Sequence, residues 1–175
     1  MNPSRKKILI VTDFYKPHTS GIVTYIEQLT NALNSNKYDI TILTTKISNN
    51  LKNIEFSGDI KIIRCKPTLK ISRGFYSIEL VLKFSKIYRN FDIVNIHLPL
   101  VEIFPIIFFF NSKNTIVNYH CLPEFPFFLK IIKFYFYFFG FCSVLLSKKT
   151  MVLSEDYFNH FLFHKSISKK VIPLS

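Results

Sequence analysis

Short aliphatic and β-branched runs recur along the chain, each bounded by polar residues and followed by a connecting segment, mostly of helix length. Seven stand out: KILIVT at 7–12, DITILTT at 39–45, IKIIRC at 60–65, DIVNIHL at 92–98, NTIVNYHC at 114–121, TMVLS at 150–154 and KKVIPL at 169–174. Several are apolar at consecutive positions rather than alternate ones, the pattern of strands covered on both faces. Strands of this kind separated by helices predict an α/β domain, a Rossmann-like, doubly wound and mostly parallel sheet.

The first connecting helix is the clearest, because Ile22, Ile26, Leu29 and Leu33 repeat at helical spacing and form a stripe that can lie on the sheet. Ser20 stands at the expected N-cap, and Gly21 lets the backbone turn into the helix and approach a ligand closely. Residues 51–59 are polar without a period and predict a surface connection. Residues 74–89 predict a second helix, in which Phe75, Ile78 and Leu82 keep the stripe only in part. Residues 125–146 are the most apolar stretch, rich in Phe and Tyr and divided by Lys130 and Lys133. The uncharged remainder, 134–146, is shorter than the roughly 20 apolar residues of a membrane span. Three readings stay open for it: a core helix covering the sheet, an interfacial helix, and a span.

Composition narrows the picture. The chain has 175 residues, enough for one domain with a proper core, and no repeat or low-complexity linker divides it. With 49% hydrophobic and 19% charged residues it is not a disordered chain, and it falls short of a polytopic membrane protein. Cys65, Cys121 and Cys142 are odd in number and widely spaced, so they build neither a disulfide framework nor a CxxC metal site. That favours a reducing, cytoplasmic setting, and the N-terminus lacks the apolar core of an export signal. The net charge of +12 raises nucleic acid, an anionic membrane surface or a phosphorylated ligand as partners. The basic residues are scattered singly or in pairs, without the stripe that tracks a phosphate backbone, so nucleic acid is not expected.

In an open parallel sheet, ligands bind outside the carboxyl ends of the strands. Few polar residues occupy those ends: Asp13 and the loop 14–20 after the first strand, His97 after the fourth, His120 after the fifth, and Ser154 with Glu155 after the sixth. All would face one crevice. Each also has a plain structural role open to it: Asp13 as a strand end, His97 as a buried histidine, Ser154 with Glu155 as a helix start. His120 is the sharper candidate, since it ends an apolar strand just before a Pro-containing loop, and a group titrating near neutral pH could polarise a leaving oxygen. The four glycines form no GxGxxG fingerprint, Walker A loop or GxSxG elbow. His97 and His120 lack a third residue at metal-site spacing, so neither a metal nor a cofactor is expected. Amides around Ser20 and Gly21, at a helix N-terminus, could hold an anionic diphosphate.

In this order the motifs resemble the N-terminal domain of glycosyltransferase family 4, retaining enzymes of the GT-B fold. The resemblance rests on KILIVTDFYKPHTSGIVTYIEQLTNAL, DITILTT, DIVNIHLPL, NTIVNYHC and MVLSEDY followed by VIPLS. It implies that residues 1–175 form the single acceptor-side half of such a fold, with Ser20 and Gly21 against a donor diphosphate and His120 beside the transferred sugar. Where the family usually has two glycines, this chain has Ser20 and Gly21. The implied substrates are a nucleotide-diphosphate sugar and a glycan or lipid-linked acceptor; the basic and aromatic residues themselves point to a lipid-linked one at the inner face of a membrane. In relatives a second Rossmann domain supplies the nucleotide pocket, a basic residue for the leaving diphosphate and an acidic motif for the donor. The sequence stops at Ser175, so this half alone is expected to be inactive or very slow, and a C-terminal half protein is an implied partner. The alternatives are a non-catalytic subunit and a truncated remnant.

Overall fold

The computed structural model describes residues 5–33, 37–71, 74–110, 114–120, 130–152 and 171–173. Within them a sheet of eight strands is ordered β10-β9-β8-β7-β1-β2-β4-β3. The strands are β1 (Lys6–Thr12), β2 (Tyr38–Thr45), β3 (Ile54–Ser57), β4 (Ile60–Cys65), β7 (Ile93–Leu98), β8 (Thr115–Tyr119), β9 (Lys149–Val152) and β10 (Val171–Pro173). Seven run parallel; β3 alone is antiparallel, against β4 at the edge. A separate hairpin pairs β5 (Leu69–Ile71) with β6 (Gly74–Tyr76). All seven runs singled out in the sequence are strands of the main sheet.

Helices cover both faces. On one side α1 (Gly21–Ala32) packs Val23 and Ile26 on Ile8, Ile10, Ile40 and Ile42. On the other, α2 (Ile78–Ile87), α3 (Ile103–Ile107) and α4 (Lys130–Leu146) meet the alternate positions Leu9, Val11, Val94, Ile96 and Val117. The period of two along β1 thus feeds two cores, which is why these strands read as unbroken apolar runs. Ser20 caps α1 as expected, its Oγ accepting from the Val23 amide at 3.3 Å. The burial of α1 is centred on Val23, Ile26 and Thr30; Ile22, Leu29 and Leu33 are half-buried at its margin.

Three expectations are corrected. The connection at 51–59 contains β3, whose side chains Ile54 and Phe56 are exposed; an edge strand with no buried face carries no period to read. The helix expected at 74–89 begins only at Ile78, because Gly74–Tyr76 pairs as a strand and Ser77 caps the helix through the Leu80 amide. Its buried residues are Leu80 and Phe84, whereas Ile78 and Leu82 face solvent. The short α3, not foreseen, follows directly from the β7 end.

Strand order reverses between β1 and β7: β2 and β4 extend one way, β8, β9 and β10 the other. Such a switch point opens a crevice at the carboxyl ends of the two central strands.

Candidate active site at the switch point

The loop leaving β1 is tied down from its own sheet. The Asp13 carbonyl accepts from the Thr45 amide at 3.2 Å and from Thr44 Oγ1 at 3.1 Å. Buried Arg64 donates from Nη2 to the Lys16 carbonyl at 2.6 Å, and Lys16 pairs with Glu27 of α1. This fixes Ser20 and the first turn of α1 at the crevice. First-turn amides, here those of Gly21 and Ile22, have no intrahelical acceptor. Gly21 does not have a left-handed φ, and a Cβ placed on it would meet nothing within 4 Å. The tight turn therefore does not require glycine; its missing side chain simply widens open space before the helix.

On the α1 face, β7 and β8 end in the same triplet form, Asn95-Ile96-His97 and Asn118-Tyr119-His120. Alternation sends each Asn and its His to one side, so four polar side chains line the centre of the sheet. His97 Nδ1 and His120 Nε2 lie 2.9 Å apart with rings nearly parallel, 14° between planes and 5.1 Å between centroids. One proton bridges them. Asn118 Nδ2 donates to Asn95 Oδ1, and Tyr25 of α1 donates its hydroxyl to Asn118 Oδ1 at 3.4 Å. The Tyr25 ring stands edge-on to His120, centroids 5.0 Å apart.

Burial makes this histidine pair neutral. His97 is fully buried, and loss of solvation together with the nearby His120 holds it well below the usual imidazole range. Desolvation lowers His120 to about 4. His120 is therefore not a group titrating near neutral pH, contrary to the expectation from its residue type; at pH 7 it offers a fixed neutral imidazole. Because His97 holds Nε2, the nitrogen of His120 left for a ligand is Nδ1. His97 Nε2 has no partner among the described residues.

Asp13 does not join this group. It projects to the α2 and α3 face, where the Phe75 amide bonds to it, and its neighbour there is Glu102 just ahead of α3. Glu102 Oε1 accepts from the Ser77 amide at 2.6 Å. Burial first, and Asp13 second, push Glu102 up to about 8; burial pushes Asp13 up to about 7. Asp13 Oδ1 and Glu102 Oε2 have no partner among the described residues. The single crevice expected from the sequence is thus two polar sites back to back across the sheet edge. Ser154 and Glu155 lie outside the described residues.

Tyr25, Asn95, Asn118 and Glu102 were not picked out by sequence reasoning. The repeated Asn-x-His at the ends of two adjacent strands was a legible signal for the asparagines; nothing local marked Tyr25 or Glu102. Among the described residues no group of three or more His, Cys, Asp or Glu could hold a metal. A depression of about 380 Å³ lined by Thr30, Asn31, Tyr38, Ser57 and Asp59 lies at the opposite end of the strands, away from this chemistry.

Fold and geometry together define a doubly wound α/β domain with two groups of buried polar side chains at its switch point. The chain belongs to glycosyltransferase family 4, whose family model matches residues 19–172. Among solved structures it is similar to sucrose-phosphate synthase from Thermosynechococcus elongatus, with a TM-score of 0.61 at 15% identity. The match covers 97% of this chain and 48% of that one, so the chain spans about half of the enzyme and shares its fold over that half. No curated protein matches the sequence.

Proposed function

We propose that the chain is the acceptor-side, N-terminal domain of a retaining glycosyltransferase, which moves a sugar such as a hexose from a nucleotide-diphosphate donor to a glycan or lipid-linked acceptor. The observation that carries this reading is the His97–His120 pair, buried at the carboxyl ends of the strands beside the N-terminus of α1. Family membership supports the transferase class.

The chemistry follows from what these groups can offer. In the transfer the bond from the anomeric carbon to the diphosphate oxygen breaks, a bond to the acceptor oxygen forms on the same face, and the acceptor proton leaves with the phosphate. A neutral His120, aimed by His97 and walled by Tyr25, hydrogen-bonds a sugar hydroxyl without giving up a proton. The first turn of α1, capped by Ser20 and open in front of Gly21, sets backbone amides and the positive end of the helix dipole against the charge growing on the diphosphate. The nucleotide pocket is assigned to a second Rossmann domain, in keeping with the 48% span on the synthase.

The test is transfer and donor hydrolysis by this chain combined with such a second domain, assayed over a panel of nucleotide sugars. His120→Ala is expected to lower turnover about 100-fold, the scale of one lost hydrogen-bond donor in a preorganised site. Undiminished activity would overturn the assignment of His120.

A further inference from the structure

On the side of α4 that lies on the sheet, Phe136, Gly140, Ser143 and Val144 are buried, with Ser147 just past the helix end. At Gly140 the helix comes so close that an added Cβ would stand 2.9 Å from the Tyr119 hydroxyl. The opposite side leaves further large apolar residues in the open: Ile131 is 86% exposed, Phe134 68% and Phe138 47%. They recur every third or fourth position and form one stripe along the helix. Phe104 of α3 and Phe108 at its C-cap, also exposed, extend it sideways. The two helices are joined as one surface, since the Tyr135 hydroxyl donates to the Val101 carbonyl at 2.8 Å and accepts from the Phe104 amide at 3.3 Å, and the Phe104 and Phe139 rings meet at 4.7 Å.

We infer that this α3–α4 face docks on an anionic lipid surface, with Ile131, Phe134, Phe138, Phe104 and Phe108 entering the headgroup boundary. Exposed apolar side chains gathered into one patch mark an interaction surface. Charge selects it. From 103 to 152 the sequence holds five lysines, at 113, 130, 133, 148 and 149, against one acidic residue, Glu124. Lys133, Lys148 and Lys149 are exposed, Lys133 beside the Tyr137 ring. Phenylalanines flanked by lysines on a helix lying flat is the composition of an interfacial anchor. A second copy of the chain is disfavoured, because two molecules of net charge +12 would meet through their cationic sides. No helix among the described residues is long and apolar enough to cross a membrane, so the contact is peripheral. Docking stands independently of the transferase reading; with it, α4 follows β8 and brings the lipid surface to the sheet edge that carries His120, where a lipid-linked acceptor would arrive.

Vesicle flotation tests this on the full chain, using phosphatidylcholine mixed with phosphatidylglycerol at low salt, and phosphatidylcholine alone. Binding is expected to the mixed vesicles and about tenfold weaker to the neutral ones. Phe134→Ser with Phe138→Ser should lower partitioning about tenfold, and the corresponding Glu pair further. Phe56→Glu, exposed on β3 at the far edge, should leave it unchanged, and thermal melts of all variants should match the parent. Absent flotation, flotation indifferent to the Ser pair, or a dimer in sedimentation that the Ser pair dissolves while vesicles go unbound would each overturn the proposal.

Discussion

Asp13 and Glu102 are carboxyls buried by the fold, and His97 and His120 are buried imidazoles. Burial disfavours the charged form of each, so the carboxyls bind protons more tightly and the histidines less tightly than in the unfolded chain. The native carboxyls keep their protons up to about pH 7 and 8, whereas unfolded ones release them near their ordinary values of 3.8 and 4.5. Across that window the folded state holds more protons, so their contribution to stability falls as pH rises. Unfolded histidines take up protons below 6.5, while native His120 waits until about 4 and native His97 is held well below its ordinary range, so the histidine contribution falls as pH drops. The two effects oppose each other below 6.5, and above it the carboxyls act alone. Melting temperature is therefore expected to decline between about pH 6.5 and 8.5, as stability falls by at most about 1.4 kcal/mol per pH unit for each proton. Asp13→Asn combined with Glu102→Gln should flatten that decline in thermal melts. An unchanged slope would place its origin elsewhere.

Among elements, α1 and α4 show how differently one periodicity can be used. The first turn of α1 carries a glycine that the fold itself does not need, having an ordinary φ and open space in front. Gly21→Ala is expected to leave the melting temperature unchanged or slightly raised, because alanine is the better helix former by up to about 1 kcal/mol. In the reconstituted transferase it should raise the donor KM, since a methyl group would stand between the amides and a phosphate. A drop in stability with unaltered KM would mean that Gly21 serves packing alone. The legibility of the elements followed their burial. Strands covered on both faces, such as β1 and β2, announced themselves; β3, exposed at an edge, and β6, part of an isolated hairpin, did not. In α2 both Ile78 and Leu80 are apolar, and sequence spacing offered no reason to bury the second rather than the first. What decides is Ser77, whose cap bond and tie to Glu102 set the rotation of the helix.

For the molecule as a whole, the switch point is the organising fact. It places the His97–His120 pair and the Asp13–Glu102 pair at one sheet edge but on opposite faces, so only the first shares its side with the α1 N-terminus. The proposed function assigns the nucleotide pocket to a second domain, so residues 1–175 alone are expected to release no nucleoside diphosphate from sugar donors in a coupled assay. Turnover by the isolated chain comparable to that with a second domain would show that the site is complete as it stands.

The sequence by itself determined the α/β class, seven of the eight strands of the main sheet, the Ser20 cap and the positions of both histidines. These depend on local periodicity and on side chains that cap or end an element, which are properties of neighbouring residues. Only the tertiary structure decided that His97 and His120 touch, that Tyr25 walls them in, that Asp13 turns away to Glu102, and that α4 leaves Ile131, Phe134 and Phe138 exposed while burying Phe136. Those outcomes rest on strand order, helix rotation and desolvation, which arise when residues tens of positions apart are brought together and water is excluded between them.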